Sequence, residues 1–260
     1  MELNHRRSGS GEPLVLIHGI GSRWQVWEPV IDQLARRHDV IALDLPGFGA
    51  SPAPPSGTPA GAESLATLVA EFLDGLGIER AHLAGNSLGG LVALLLGIRG
   101  RALTVAGLSP NGFATRIELA WTRASLWASV RAARAMAARA DVLLAPALAR
   151  RLGLGLFVLH PERIPPAAAA ADVRALAAAP WFDATLTSFR PMELTGADRL
   201  EVPVTIAWGR HDRLLLPRQA RRAARAIPSA RILMLRGCGH VPMYDDPDQI
   251  ADVLLDAAAA

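Results

Sequence analysis

The 260-residue sequence contains no lysine and only one cysteine. With Cys238 alone, no intrachain disulfide can form, and a reducing compartment is expected. Every basic residue is arginine, whose guanidinium does not lose its proton. The high isoelectric point therefore reflects residue type, because the formal charge is only +3, from 27 basic and 24 acidic residues. Arginine also alternates with alanine, as in RAARAMAARA (131–140), and a nucleic-acid partner is not expected from so even a balance. Long apolar runs are missing too. LVALLLGI (91–98) and LGLGLFVL (152–159) fall short of the roughly 18 residues that a membrane span needs. The opening MELNHRRSGSGEP lacks the apolar centre of a secretory signal. These absences lead to the expectation of a cytoplasmic protein without a membrane span. No spacing of His, Cys and Asp suggests a metal site. No G-x-G-x-x-G opens a helix after the first strand, which excludes the dinucleotide fingerprint. No cofactor is expected.

What is present is a chain that is 51% hydrophobic and long enough to bury about three quarters of its unfolded surface. Short apolar runs recur at LVLI (14–17), VIALD (40–44), HLAG (82–85), LTVAGLS (103–109), VTIAW (204–208) and RILML (231–235). They are continuous rather than alternating, the pattern of strands covered by helices on both faces of a parallel sheet. Between the second and third runs, Leu65, Leu68, Val69, Phe72, Leu73 and Leu76 form one helical stripe. The expected fold class is α/β, a mostly parallel doubly wound sheet. One interval breaks the alternation: residues 111–200 hold no strand pattern, are rich in Ala, Arg, Leu and Trp, and are punctuated by Pro146, Pro161, Pro165, Pro166, Pro180 and Pro191. They read as a helical insertion, with 1–110 and 201–260 as the core.

Gly85-Asn86-Ser87-Leu88-Gly89 has the pattern G-x-S-x-G between a strand and a helix, a turn that exposes one hydroxyl above the sheet edge. The glycines let the strand and helix backbones approach where a Cβ would clash. The free N–H groups of the helix start lie beside the serine. A serine needs a base. His240, in RGCGHVPMYDDP after the last strand, stands at the carboxyl edge, where ligand sites of such sheets lie. His5, His38, His82 and His160 are worse placed, and His18 sits in a tight strand-end turn. Asp212, in WGRHDRLLLP, can orient His240. Asp245 and Asp246 are alternatives that helix capping explains better, and His211 is expected to face away. The N–H groups of Leu88 and Ile20 are the expected oxyanion donors.

With these residues in view, the chain resembles the α/β-hydrolase fold superfamily. The resemblance rests on HGIG (18–21), DLPGFGAS (44–51), GNSLGG (85–90), WGRHD (208–212) and GCGH (237–240), in family order. It implies a catalytic triad of Ser87, Asp212 and His240. It also implies that the helical insertion is a cap over the pocket, and that Asp44 to Ser51 is a structural turn. A serine nucleophile argues against dehalogenases and epoxide hydrolases, which use a carboxylate. GNSLGG is similar to the elbow of meta-cleavage-product C–C hydrolases, but Ser22-Arg23 stands where those carry Gly-Pro, and Val241 where they carry tryptophan.

Ile20, Asn86, Leu88, Asn111, Phe113, Trp181, Phe182, Val241 and Met243 are the expected pocket residues. Arg116, Arg123, Arg131, Arg134 and Arg139 read as a solvated helix face, as do Arg218, Arg221, Arg222 and Arg225. Cys238 reads as a small buried hydrophobe. The expected function is a carboxylesterase-like serine hydrolase acting on a small or medium apolar molecule. Two alternatives stand beside it: a C–C bond hydrolase or another triad-based lyase-like reaction, and a ligand receptor on a hydrolase scaffold. The expected partner is a small-molecule substrate, and a homodimer is left open.

Overall fold

The computed structural model describes residues 1–260. Seven strands form one sheet: β1 (His5–Ser8), β2 (Pro13–Ile17), β3 (Asp39–Leu43), β4 (Ala81–Asn86), β5 (Ala102–Leu108), β6 (Val204–Gly209) and β7 (Arg231–Leu235). Their order is β1-β3-β2-β4-β5-β6-β7. β1 runs antiparallel to β3, and every other pair is parallel. All six strands read from the sequence are present. β1 carries no apolar pattern, only His-Arg-Arg-Ser. It is an edge strand whose Arg7 pairs with Asp39 at 2.5 Å.

The continuous apolar runs are explained by two cores, one on each face. Successive strand residues point to opposite faces, so Val15, Ile17, Ile41, Leu43, Leu83, Val105 and Ile206 enter one core. Leu14, Leu16, Val40, Ala42, Ala84, Ala106 and Ala207 enter the other. On the first face lie α2 (Ala62–Gly75), α3 (Leu88–Ile98) and α9 (Gln219–Ala226). On the second lie α1 (Glu28–Leu34) and α10 (Pro247–Ala258). α3 is apolar all round and buried over Leu88 to Gly97, so LVALLLGI is a core helix. No helix is long and apolar enough to cross a membrane.

Between β5 and β6 the chain forms α4 (Arg116–Met136), α5 (Ala140–Leu143), α6 (Ala147–Leu154), α7 (Pro166–Ala178) and α8 (Phe182–Ser188), and no strand. Proline marks the starts: Pro146 and Pro165 precede α6 and α7, and Pro166 opens α7. A fixed φ and a missing N–H are harmless in a first turn. Alanines at 133, 140, 169 and 170 let these helices pack closely around Leu144, Val158, Ile164 and Val173. α4 starts with a capping box, in which Thr115 and Glu118 exchange hydrogen bonds. Glu118 is also gripped by Arg218 and Arg222. Those two arginines therefore tie α9 to the base of the insertion, Arg222 largely covered and Arg218 still exposed.

Candidate active site

The strand-to-helix turn after β4 dictates the site. Ser87 has φ 57° and ψ −118°, a conformation that costs a non-glycine residue about 1–3 kcal/mol. Its neighbours enforce it. A Cβ on Gly85 would stand 2.1 Å from the carbonyl oxygen of Gly89, and one on Gly89 would stand 2.1 Å from that of Ile17. Only glycine fits either place, and the serine is squeezed out over the sheet edge. α3 begins at Leu88, so its first N–H groups and positive dipole end face the hydroxyl.

The loop after β2 closes on the same point. A Cβ on Gly19 would lie 3.1 Å from Ser87 Cβ. His18 is fully buried and organises this loop: Nδ1–H donates to the Gly19 carbonyl at 2.7 Å, and Nε2 accepts the Leu45 N–H at 2.9 Å. Burial lowers its pKa, which keeps the imidazole neutral, as this bonding requires. Asp44 accepts N–H bonds from Trp24 and Ala50, at 2.6 and 2.8 Å, and Ser51 Oγ donates to the Asp44 carbonyl at 2.7 Å. The DLPGFGAS segment is thus a turn held by its own polar groups.

Asp212 and His240 meet because β6 ends against the loop after β7: a Cβ on Gly209 would stand 2.0 Å from the Gly239 carbonyl oxygen. His240 Nδ1–H donates to Asp212 Oδ2 at 2.7 Å. Asp212 Oδ1 accepts the N–H groups of Leu214 and Leu215 at 2.9 and 2.8 Å. Both side chains are buried, so the hydrogen bond is shielded from water. It commits Nδ1 and leaves Nε2 as the nitrogen free for a partner. Asn86 Nδ2 ties the loop to the elbow, donating to the carbonyls of His240 and Leu108 at 2.9 and 3.0 Å. His211 is exposed. Cys238 is buried, and burial, with Asp245 and Asp246 nearby, pushes its thiol up to about 12.

Ser87 and His240 line one cavity of about 840 Å³, open mouth included, together with Ile20, Asn86 and Val241. Much of the rest of its wall is apolar and comes from the insertion, including Leu126, Leu154, Phe157 and Leu176. Six residues expected in the pocket lie outside its wall. Phe113 is in the core, edge to face with Trp208. Met243 is sealed in the core on the other face. The Phe182 ring packs over Gly21, and Trp181 packs over Gly47. Asn111 donates its N–H to the Ser87 carbonyl and its amide to Glu193. Leu88 is buried in the core and can offer only its N–H. The large aromatics are used to seat the insertion on the core, where their area stabilises most.

The sequence reading missed two carboxylates. Asp245 does not cap a helix; Asp246 does, accepting the Gln249 N–H at 3.0 Å. Asp245 instead accepts N–H bonds from Gly239, Leu159 and His160, fastening the insertion to the His240 loop. Asp172, on α7, lines the cavity and pairs with Arg23 at 2.7 Å. Its one visible signal is its place as the lone acid in AAAAADVRALAAA.

A family model described as the alpha/beta hydrolase family matches residues 14–253. An uncharacterized protein of Mycobacterium tuberculosis is 33% identical over 267 residues, covering 96% of this chain and 76% of its own length. RutD of Pseudomonas savastanoi pv. phaseolicola, named for carbamate hydrolysis, is 29% identical over 265 residues, covering 97% of this chain and 96% of its own. Among solved structures, a membrane phospholipase A superposes with a TM-score of 0.77 at 26% identity, covering 100% of this chain and 85% of that one.

Proposed function

Because the chain belongs to the alpha/beta hydrolase family, we propose that it is a serine hydrolase cleaving an ester-like bond of a small or medium, largely apolar substrate. One observation carries the reading: a buried Asp212–His240 pair at 2.7 Å shares a cavity with a serine held in a strained glycine-flanked turn. Ser87 Oγ attacks the carbonyl carbon while His240 Nε2 takes its proton. Asp212 fixes the tautomer and stabilises the imidazolium. The N–H groups of Ile20 and Leu88 receive the oxyanion, each contributing on the order of 3 kcal/mol to the transition state. Collapse returns the proton from Nε2 to the leaving oxygen and leaves an acyl-Ser87 ester. His240 then deprotonates a water, which attacks that ester, and Ser87 recovers its proton as the acid departs. The helical insertion acts as a cap that supplies much of the apolar wall and keeps bulk water out. RutD and the phospholipase, both named for hydrolytic chemistry, are in keeping with this class.

The test is labelling by a fluorophosphonate probe, with turnover of p-nitrophenyl acylates measured alongside. Both should be present in the native protein and absent in a folded Ser87→Ala variant. Retained activity in that variant would overturn the mechanism. Faster turnover of a vinylogous diketone than of any ester would move the reaction to C–C cleavage.

A further inference from the structure

Within a mostly apolar lining, Asp172 is the only acidic residue and Tyr244 the only phenol. Asp172 projects from α7, an alanine-rich helix on which a carboxylate is costly to bury. Its Oδ1 accepts Arg23 Nε–H at 2.7 Å. Its Oδ2 and the Tyr244 hydroxyl have no protein partner, neither atom is sealed from solvent, and both residues line the cavity. Tyr244 ends the short turn Pro242–Tyr244, just behind His240. Burial, reinforced by the Asp172 charge, pushes its phenol above the usual range, so it remains a donor.

We propose that Asp172 and Tyr244 form a specificity subsite that binds a hydroxyl group carried on the substrate chain, away from the bond that is cleaved. The charge balance selects that group. Arg23 neutralises Asp172, so an ammonium group meets the guanidinium and a carboxylate group meets Asp172. A hydroxyl can donate to Oδ2 and accept from the phenol, filling both unused positions. Binding of this kind needs no change in the chemistry at Ser87. The location of the cleaved bond rests on the serine-hydrolase reading; the subsite itself does not.

The experiment compares p-nitrophenyl alkanoates of graded chain length with their ω-hydroxy, ω-ammonio and ω-carboxy counterparts. At one chain length the ω-hydroxy ester should exceed its parent in kcat/KM by about tenfold, equal to about 1.4 kcal/mol, in line with one hydrogen bond to a charged group. Tyr244→Phe and Asp172→Leu should each bring that ratio toward one. The same comparison is made calorimetrically with the p-nitrophenyl alkyl ethers, which have no scissile bond. There the ω-hydroxy chain should bind about tenfold tighter in the native protein. Absent ester turnover and labelling, with the ether preference intact, would fail the hydrolase reading and keep the subsite. A ratio of one at every length, a ratio unchanged in both variants, or preference for a charged chain end would overturn it.

Discussion

Asp245 accepts the backbone N–H of His160 at 2.7 Å, which fastens the helical insertion to the loop carrying His240. The same carboxylate holds Leu159 N–H at 3.1 Å and Gly239 N–H at 2.8 Å. Asp245→Ala leaves these three donors without their acceptor and should cost about 3 kcal/mol, read as a lower urea midpoint at unchanged slope. Gly239 adjoins His240, so ester turnover should fall as well. A loss of less than about 1 kcal/mol would show that water replaces the carboxylate at little cost.

Asp212 is held on two sides. An asparagine there would keep an oxygen for Leu214 and Leu215 N–H and turn its amide toward His240. The imidazole would then accept at Nδ1 and carry its proton on Nε2, the nitrogen that acts as base in the proposed mechanism. Asp212→Asn should therefore lower kcat on an activated ester by about 10³–10⁴-fold with little change in melting temperature. A drop of less than about tenfold would remove Asp212 from the mechanism.

Much of this arrangement is legible in the sequence because it is local. Runs such as VIALD and VTIAW announce buried parallel strands, and glycine pairs at their ends announce turns. The positions of Ser87, Asp212 and His240 at strand ends follow from that pattern. β1 is illegible because His-Arg-Arg-Ser carries no apolar pattern and joins the sheet at an edge, through backbone pairing and the Arg7–Asp39 ion pair. The cavity wall is illegible for another reason. Which faces of α4, α6 and α7 look inward depends on how the insertion settles, and no local pattern encodes that. Size alone nominates Phe113 and Phe182, yet the core takes both rings, while smaller residues such as Leu126, Leu154 and Leu176 line the cavity.

Under the proposed mechanism, the elbow sets stability against function. Ser87 sits at φ 57°, and relieving that strain with glycine should raise stability by about 1 kcal/mol net of glycine's greater chain entropy. Ser87→Gly should melt at a higher temperature than the native protein and take up no fluorophosphonate. Gly89→Ala should do the opposite and cost at least about 3 kcal/mol, because its Cβ would meet backbone oxygen atoms of Ile17 and His18. An unchanged melting temperature for Ser87→Gly would show that the turn is not strained.

Glu118 ties the insertion to the core in a pH-dependent way. Its side chain is only 2% exposed. Burial alone would raise its pKa, but Arg222, the Thr115 N–H and Arg218 outweigh that and hold it at about 2, against an ordinary 4.5. The folded value lies below the unfolded one, so the contribution is complete above about pH 4.5 and disappears as the pH falls toward about 2. The gap corresponds to about 3 kcal/mol, and solvent around the exposed Arg218 reduces it to about 2 kcal/mol. Glu118→Gln should therefore be less stable than the native protein at neutral pH, with the difference shrinking across that acid window. Urea midpoints measured through the window decide the matter, and a difference that stays constant with pH would mean the carboxylate's charge is not what holds α4 to α9.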